Sequence, residues 1–315
     1  MSFSKFPDFQ AFRTDQITDY LTYFSQLDAP YCDFSIDDVM IWHDYNNDLE
    51  ACELNGNLIL RYSSVLDHEE TYYVLVGIHK VKDTVNQLLD FLEENNLRPL
   101  LHYITHQVAE LLKKEGASAI LIEEDPENRD YVYNVQDLLG LKGKPYENLR
   151  TRINYFTREN QDVGLRRLNL HNEKERSAVL DTIISWSNRP KTWHNDPDEW
   201  ELNVIKRHLQ LADQLPVHAY GMYVKGDLVN VNVFHLPPHK GWLICNHVKC
   251  DYSYKSIYGY AFYSLFQVAA SMGIKWVNFE QDLGIEGLRQ IKTLFRPAYF
   301  LERYTVSRDP GAKYQ

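Results

Sequence analysis

The chain has 315 residues and is acidic, with 44 Asp and Glu residues against 33 Lys and Arg residues and a net charge of −11. This length suits one large core or two ordinary domains, and the negative charge argues against a protein whose main task is to bind DNA or RNA. The four cysteines form no CxxC pair, and neither a signal peptide nor a long apolar run is present, so we predict a cytoplasmic protein without integral membrane association.

The first half of the chain predicts alternating helices and strands. The dipeptide Asn55-Gly56 lies between two short apolar runs, which is typical of a type I′ hairpin turn. The other predicted elements are a helix over 14–27, a buried strand over 72–78, a helix over 81–94, a strand over 100–104, a helix over 106–114 and a strand over 119–122.

The second half repeats this order of elements, without a repeat at the level of residues. A hairpin over 218–234 turns at Lys225-Gly226-Asp227, and Gly273 is a natural end for an apolar helix over 257–272. The other predicted elements are strands over 163–170, 241–248, 275–279 and 300–306, and helices over 174–186 and 199–215. The repeated order predicts an α+β protein of two tandem domains, residues 1–160 and 161–315.

The first candidate site is the stretch NFEQDLGIEGLRQIK, residues 278–292. It follows a predicted strand, and ligands of open α/β sheets bind beyond the carboxyl ends of strands. Gly284 allows a tight turn or a close backbone approach, and a helix that begins near residue 285 offers N–H groups to an anion. We interpret Arg289 and Lys292 as a fork for a carboxylate or a phosphate.

The carboxylates of the same stretch have two interpretations. Glu280 or Asp282 would act as a base or bind an ammonium group. In the structural alternative, Asp282 caps the helix while Arg289 and Lys292 pair with Glu286, although only the spacing of Glu286 and Arg289 suits a helical ion pair. The residues alone leave both interpretations open.

The second candidate is RDYVYNVQDLLGLKGKPYENLRTRINYF, residues 129–156. Strand alternation puts Tyr131 and Tyr133 on one face. The most basic neighbourhood of the chain follows and comprises Lys142, Lys144, Arg150, Arg152 and Arg158. This run either contacts a phosphate or nucleotide, or forms a solvated helix that connects the domains.

Two further segments hold metal-binding residue types. Cys245, His247 and Cys250 offer three soft donors, with 245 and 247 on one strand face, which is one donor short of a structural zinc site. The segment WHNDPDE, residues 193–199, lacks the glycine and the spacing of an EF-hand. We therefore predict no metal site. We interpret residues 193–199 as a polar loop that acts as a lid near the cleft.

Several common catalytic motifs are absent from the sequence. Neither GxxxxGK[ST], GxGxxG, GxSxG nor HExxH occurs. The P-loop, dinucleotide-binding, α/β-hydrolase and zincin interpretations therefore lose their main support.

The two candidate stretches together, DYVYNVQDLLGLKGKPYENLRTRINYF and NFEQDLGIEGLRQIKTLFRP, resemble uncharacterised bacterial proteins grouped with the C-terminal domain of phosphatidylglycerol lysyltransferase, over about residues 5–306. The resemblance implies two tandem GNAT-like acyltransferase domains, each a mixed, mostly antiparallel sheet flanked by helices. Leu149 departs from the pattern, because relatives often have a basic residue there. The matching positions are Asp130, Tyr131, Tyr133, Asp137, Leu138, Lys142, Gly143, Lys144, Arg150, Asn154, Phe156, Asn278, Glu280, Asp282, Leu283, Gly284, Gly287, Leu288, Arg289 and Lys292.

The resemblance also implies an activity, namely acyl or aminoacyl transfer to an amine or hydroxyl acceptor. Asp282 or Glu280 would orient or deprotonate the acceptor, and Tyr131 and Tyr133 would line a cleft between the domains. The candidate catalytic residues are Asp282, Glu280 and Arg289. The candidate substrate-binding residues are Lys292, Gly284, Asn278, Tyr131, Tyr133, Arg150 and Lys144. We expect Arg289→Ala to remove ligand binding with little loss of stability.

The lysyltransferases use an aminoacyl-tRNA donor, which makes tRNA a candidate partner beside a small charged substrate. Acetyl-CoA enzymes of this fold have a Gly-rich pyrophosphate loop, whereas the nearest segment here, YKSIYGYAFYS, has Tyr and Ser instead. We therefore favour aminoacyl-tRNA over acyl-CoA as the donor and predict no bound cofactor. The alternative is a non-catalytic module that binds an amino acid or another small charged ligand, because a carboxylate beside an arginine suits a zwitterion equally well.

Overall fold

The computed structural model describes residues 3–44, 47–63, 70–116, 119–187 and 199–309. The strands are β1 (Gln10–Ala11), β2 (Glu50–Leu54), β3 (Asn57–Ser63), β4 (Thr71–Val76), β5 (Leu100–Thr105), β6 (Ile120–Glu124), β7 (Asp130–Asn134), β8 (Val163–Leu168), β9 (Val217–Val224), β10 (Asp227–His235), β11 (Trp242–Cys250), β12 (Trp276–Asn278), β13 (Tyr299–Leu301) and β14 (Arg303–Arg308). The α-helices are α1 (Ile17–Phe24), α2 (Ile36–Asp38), α3 (Val81–Glu94), α4 (His106–Lys114), α5 (Val135–Gly140), α6 (Glu147–Glu159), α7 (Glu173–Ser187), α8 (Glu199–Gln210), α9 (Ile257–Ser271) and α10 (Glu286–Leu294). The predicted polar loop over 193–199 lies outside the described residues, apart from Glu199 at the start of α8.

The chain divides into two compact units, residues 1–129 with 301–315, and residues 130–300. The predicted boundary near residue 160 therefore falls within the second unit. The physical reason is that β7 pairs with β12, far along the chain, so the residues from 130 onwards belong with the later strands. The assignment of one GNAT-like domain to 1–160 and another to 161–315 stays a prediction.

The first unit contains two antiparallel sheets. One has the strand order β1-β2-β3-β4, and the other has β14 between β5 and β6. Asn55 and Gly56 turn β2 into β3 with φ of +55° and +86°, as the predicted type I′ hairpin requires. The apolar side chains of α3 and α4 pack into one core with β5 and β14.

A buried ion pair stabilises the position of the last strand in the first unit. Arg303, at the start of β14, is fully buried, and its guanidinium donates hydrogen bonds to the Asp33 carboxylate, with Nε to Oδ2 at 3.1 Å. The same guanidinium lies 4.3 Å from the centroid of the Tyr31 ring. Because a buried charge without a partner is costly, this contact favours β14 in its observed place.

The second unit is built on one seven-stranded sheet with the order β13-β7-β12-β11-β10-β9-β8. The pairing of β11 with β12 is parallel, whereas β12 with β7 and the successive pairs from β11 to β8 are antiparallel. Helix α9 is apolar on most of its surface and packs into a core with β7, β11 and β12. Helices α7 and α8 form a separate core with β8, β9 and β10.

Most predicted elements are present, and the differences lie at element ends. The predicted helix over 14–27 begins as a 3₁₀ turn at Thr14–Gln16 and ends at Phe24. The predicted last strand over 300–306 is two strands, β13 and β14. Gly273 ends α9 with φ of +72°, as predicted. Among the described residues, none of the helices has the length and apolar character needed to cross a membrane.

Candidate active site

The two parallel strands of the second unit separate at their carboxyl ends. They pair only from Trp242 opposite Trp276 to Ile244 opposite Asn278. Strand β11 continues to Cys250, whereas β12 ends and the chain turns into the segment 279–285. Beyond Ile244, no other strand within the described ranges pairs with this edge of β11. The opening, which we call the strand split, lies at the strand ends where the sequence predicts a site.

A β-bulge in β11 directs a side chain across the strand split. His247 pairs with Val233, and Cys245 pairs with Phe234, so Asn246 is an extra residue in β11. Bulges re-aim side chains and are common beside active sites. The Asn246 amide donates to Glu280 Oε1 at 3.3 Å and so links the two sides of the split. Asn246 could not be predicted from the sequence, because the bulge leaves no mark in the residue pattern.

Because of the same bulge, Cys245 and His247 do not lie on one face of β11, contrary to the prediction. Cys245 packs in the core that contains α9, whereas His247 Nε2 lies 3.2 Å from Nδ1 of His208 on α8. Burial raises the pKa of the Cys245 thiol and holds the pKa of His247 well below its usual value. Burial also raises the pKa of Cys250 to about 12. These three side chains are therefore neutral and point to different surroundings.

In the segment 279–285, the Asp282 carboxylate accepts four hydrogen bonds. Its side chain is 2% exposed and accepts two hydrogen bonds from Arg289, Nε to Oδ2 at 2.9 Å and Nη2 to Oδ1 at 3.1 Å. The Tyr131 hydroxyl donates to Oδ2 at 2.5 Å, and the Gly284 N–H donates to Oδ1 at 2.9 Å. Burial alone would raise the pKa of Asp282, but the donors outweigh it and the net shift is downward. Asp282 is thus an ionised carboxylate, and both of its oxygens accept hydrogen bonds from other groups of the protein.

Lys292 stabilises the segment from the α10 side. Its ammonium group donates to the carbonyl oxygens of Phe279, at 2.5 Å, and Gln281, and it lies 5.7 Å from the centroid of the Tyr131 ring. The Tyr133 hydroxyl in turn donates to the Lys292 carbonyl at 2.7 Å. The ammonium is buried, so these hydrogen bonds compensate the loss of water. Lys292 fixes the turn after β12.

Glu280 has an unusual backbone conformation that several neighbours enforce. Its φ is +58°, in the left-handed region that non-glycine residues seldom adopt. The Asn278 side chain accepts its N–H at 2.8 Å and donates to the buried Asp130 carboxylate at 2.6 Å. The Glu280 carbonyl accepts the Tyr131 N–H at 3.1 Å. The result is a half-buried carboxylate that faces Asn246 across the strand split.

The observed contacts differ from the structural alternative for this stretch. Glu286 accepts a hydrogen bond from Gln290 at 2.9 Å, while Arg289 binds Asp282 instead. Helix α10 begins at Glu286, one residue after the predicted start, and Gly284 takes φ of +71° in the preceding turn. Of the carboxylates and cations over 280–292, Asp282 and Arg289 form an ion pair, whereas the Lys292 ammonium donates to backbone carbonyls.

Tyr131 and Tyr133 lie on β7 with both rings buried inside the second unit. They contact the segment 279–292 through their hydroxyl groups, as described above, and Tyr133 packs edge-to-face on Phe279 at 5.3 Å. Both tyrosines hold the segment in place by hydrogen bonds from within the core. Asp130, which begins the same strand, contributes by accepting a hydrogen bond from the Asn278 side chain.

Arg150 and Lys144 belong to a different part of the second unit. Arg150 donates to the carbonyl oxygens of Leu141 and of Gly143, the latter at 2.7 Å, and so closes the turn after α5. Lys144 is exposed at the start of a 3₁₀ turn. Within the described residues, no hydrogen bond or ion pair joins either side chain to the segment 279–292. The run continues as helix α6, whose other cations are exposed.

Comparisons with known proteins come from sequence and from structure. The family model described as phosphatidylglycerol lysyltransferase, C-terminal, matches residues 33–307. A comparison with curated proteins found no match.

Three solved structures are similar over nearly the whole chain. A conserved protein of unknown function from Bacteroides thetaiotaomicron is 20% identical, with 96% of this chain and 99% of that chain covered and a TM-score of 0.82. L-PGS from Bacillus licheniformis is 12% identical, with 99% of this chain and 96% of that chain covered and a TM-score of 0.63. FemX is 9% identical, with 98% of this chain and 99% of that chain covered and a TM-score of 0.55. At these identities the likeness shows the fold alone, which is α+β with mostly antiparallel sheets flanked by helices, as predicted.

Proposed function

The chain belongs to the family of phosphatidylglycerol lysyltransferase C-terminal domains, and on this premise we propose that it transfers an aminoacyl group from an aminoacyl-tRNA to an amine or hydroxyl acceptor. The proposed site of transfer is the strand split between β11 and the segment 279–282. The acceptor is a small charged molecule in this proposal.

The observation that carries the proposal is the Glu280 carboxylate beside the strand split. It is half-buried, its backbone is fixed by Asn278 and Tyr131, and its side chain meets Asn246 on the other strand. The open edge of β11 beyond Ile244 offers N–H and C=O groups to an extended acyl donor. A carboxylate next to such an edge can orient an acceptor and take its proton.

The proposed reaction follows from this arrangement. The nitrogen or oxygen of the acceptor forms a bond to the carbonyl carbon of the donor ester, and the ester C–O bond breaks. Glu280 takes the proton from the acceptor and returns it to the leaving hydroxyl of the donor. Catalysis in such a site comes mainly from orientation and from stabilisation of developing charge.

We assign Asp282 a positioning role and Arg289 a binding role. Asp282 uses both carboxylate oxygens on Arg289, Tyr131 and Gly284, so it holds the turn that presents Glu280. The Arg289 side chain is 43% exposed, and in the part of the chain that the structure describes its Nη1 has no hydrogen-bond acceptor. Those N–H groups suit a phosphate or carboxylate of the donor or acceptor.

Aminoacyl-tRNA remains the favoured donor for two reasons. The turn before α9 lacks the Gly-rich sequence that binds the pyrophosphate of acetyl-CoA. The exposed cations of the run after β7, which include Lys142, Lys144 and Arg152, offer a surface for a phosphate backbone.

The test is a transfer assay with the full chain, total tRNA charged with radiolabelled amino acids, and a panel of amines, peptides and phosphatidylglycerol vesicles. We expect label to move from tRNA to one acceptor class. The variant Glu280→Gln should lower the rate about 10²- to 10⁴-fold, the range typical of a lost general base. Glu286→Gln, an exposed carboxylate on the neighbouring helix, should leave the rate unchanged.

Two outcomes would contradict the proposal. Full activity of Glu280→Gln would remove Glu280 from the reaction. Tight binding of a free amino acid by the wild-type chain, with no transfer from any charged tRNA, would instead support the non-catalytic binding module.

A further inference from the structure

The first unit contains two neighbouring edge strands that no ladder joins. Strand β4 is the edge of one sheet, and β5 is the edge of the other. Helix α3 connects the two strands, which lie side by side without pairing among the described residues. An edge strand presents N–H and C=O groups that no other strand uses. The proposed transfer site lies in the second unit, so the gap between β4 and β5 needs its own explanation.

Aromatic side chains bridge this gap. The Tyr72 ring of β4 stacks on the His102 ring of β5, with centroids 4.2 Å apart. Tyr103, the next residue of β5, packs edge-on against Tyr72 at 5.8 Å. Tyr62 of β3 lies opposite Tyr72 in the sheet, and its ring stacks on that of His43 at 4.3 Å. We call these five side chains the ring cluster.

Two polar atoms of the ring cluster are buried without a hydrogen bond. Tyr62 is 2% exposed, and its hydroxyl has no hydrogen-bond partner in the part of the chain that the structure describes. The same holds for Nε2 of His102, which lies 3.5 Å from Glu70 Oε1. Because proteins pair nearly all of their buried polar groups, two unsatisfied atoms in one cluster point to a partner from outside the chain.

The backbone that carries the ring cluster is irregular at two positions. Tyr103 has φ of +54°, in the left-handed region that bulky residues seldom adopt. His43 ends a π-helical turn, Val39–His43, and such turns are frequent at functional sites. Strained backbone also concentrates at sites that hold ligands. Both irregularities therefore set the positions of rings in the cluster that contains the unsatisfied atoms.

The ring cluster is uncharged at neutral pH. Burial lowers the pKa of both of its histidines, and burial raises the pKa of Tyr62 and Tyr103. The carboxylates beside the two histidines each have an arginine partner, in the pairs Asp33–Arg303 and Glu70–Arg98. A neutral ligand therefore suits this part of the first unit better than an ion.

We propose that the gap between β4 and β5 binds a neutral, planar heteroaromatic ring of the purine type. The face of the ligand packs on rings of the cluster, and its edge exchanges hydrogen bonds with the Tyr62 hydroxyl and His102 Nε2. Stacking on aromatic side chains, together with hydrogen bonds to edge atoms, is how proteins bind unstacked bases. A carbocyclic ring has no edge atoms for these bonds. The proposal is independent of the transfer reaction at the strand split.

The experiment is isothermal titration calorimetry of the full chain with adenosine, and with ribose as the probe that lacks the ring. We expect saturable binding of adenosine and none of ribose. Tyr62→Phe keeps the ring and removes the hydroxyl, so adenosine affinity should fall about twofold to tenfold, as for one lost hydrogen bond. The urea midpoint of this variant should be unchanged or higher, because the hydroxyl has no partner in the unliganded chain.

Tyr73→Phe is the matched control. Tyr73 is the neighbour of Tyr72 in β4, and its ring packs in the core formed with α3 and α4. Its variant should bind adenosine as tightly as the wild type, whereas His102→Phe should weaken binding as Tyr62→Phe does. If the wild type binds no adenosine, or if Tyr62→Phe and His102→Phe leave the affinity unchanged, the ring cluster is core packing alone. An equal loss in Tyr73→Phe would place adenosine elsewhere and contradict the proposal.

Discussion

Arg289 binds the buried carboxylate of Asp282 at two points, with Nε to Oδ2 at 2.9 Å and Nη2 to Oδ1 at 3.1 Å. The two side chains differ in their surroundings, since Asp282 is 2% exposed and Arg289 is 43% exposed. The pair therefore connects the core of the second unit to its surface. One end of the guanidinium is fixed by the protein, and the other end is available to a ligand.

The ion pair makes Arg289 important for stability as well as for binding. Arg289→Ala leaves the buried Asp282 carboxylate with only Tyr131 and Gly284 as donors. We expect the free energy of unfolding to fall, because the buried carboxylate loses its charged partner. The sequence alone predicted little effect of this substitution on stability, because the pairing of Arg289 with Asp282 is not visible in the sequence.

A double-mutant cycle measures this contribution directly. Urea unfolding of the wild type, Arg289→Ala, Asp282→Asn and the double variant should give a favourable coupling energy that is clearly different from zero, because the two side chains are in contact. A coupling near zero would mean that the two side chains do not depend on each other in solution.

The pH dependence of stability should report the ionised state of Asp282. The pKa of Asp282 is lowered in the folded protein, in which burial acts to raise it and the donors Arg289, Tyr131 and Gly284 outweigh that effect. A lowered pKa stabilises the fold above the unfolded-state value of about 3.9, and this stabilisation is lost as the pH falls through the folded-state pKa.

The measurement is the difference in unfolding free energy between the wild type and Asp282→Asn from pH 7 to pH 3. We expect a constant difference down to about pH 4 and a smaller one below it. A difference that grows as the pH falls would show that the carboxyl is easier to protonate in the folded protein, against the observed hydrogen bonds.

Local patterns in the sequence predicted much of this structure. The Asn55-Gly56 and Lys225-Gly226 turns, the apolar helix α9 and its end at Gly273 all follow from backbone preferences of a few neighbouring residues. The cluster of charges over 280–292 was also predicted, because its residues are close in the chain.

Long-range pairing is the part that could not be predicted from the residues. Strand β14 completes a sheet of the first unit, and β7 pairs with β12, so each lies beside strands distant in the chain. The partner of Arg289 was missed for a related reason. Asp282 lies outside the helix that carries Arg289, so helical spacing gives no indication of the pair.

The basic run after β7 provides the last prediction, which concerns tRNA. Lys144 and Arg152 are exposed, whereas Arg150 donates its hydrogen bonds to the backbone of the preceding turn. If the exposed cations contact phosphates, the logarithm of the affinity falls linearly with the logarithm of the salt concentration. The variant Lys144→Ala/Arg152→Ala should bind tRNA more weakly at low salt and should show a shallower slope.

The measurement is fluorescence anisotropy of labelled tRNA at about 50–200 mM salt, the range over which phosphate contacts change affinity strongly. Each phosphate contact contributes about 0.7–0.9 to the slope, so the double variant should lose about 1.5 units. Lys174→Ala is the matched control, because Lys174 is an exposed lysine of α7 in the same unit, outside the basic run. Equal losses in control and variant would mean general charge attraction. An unchanged slope in the variant would mean that tRNA, if it binds, uses another surface, and the run would then be a solvated connection between β7 and β8.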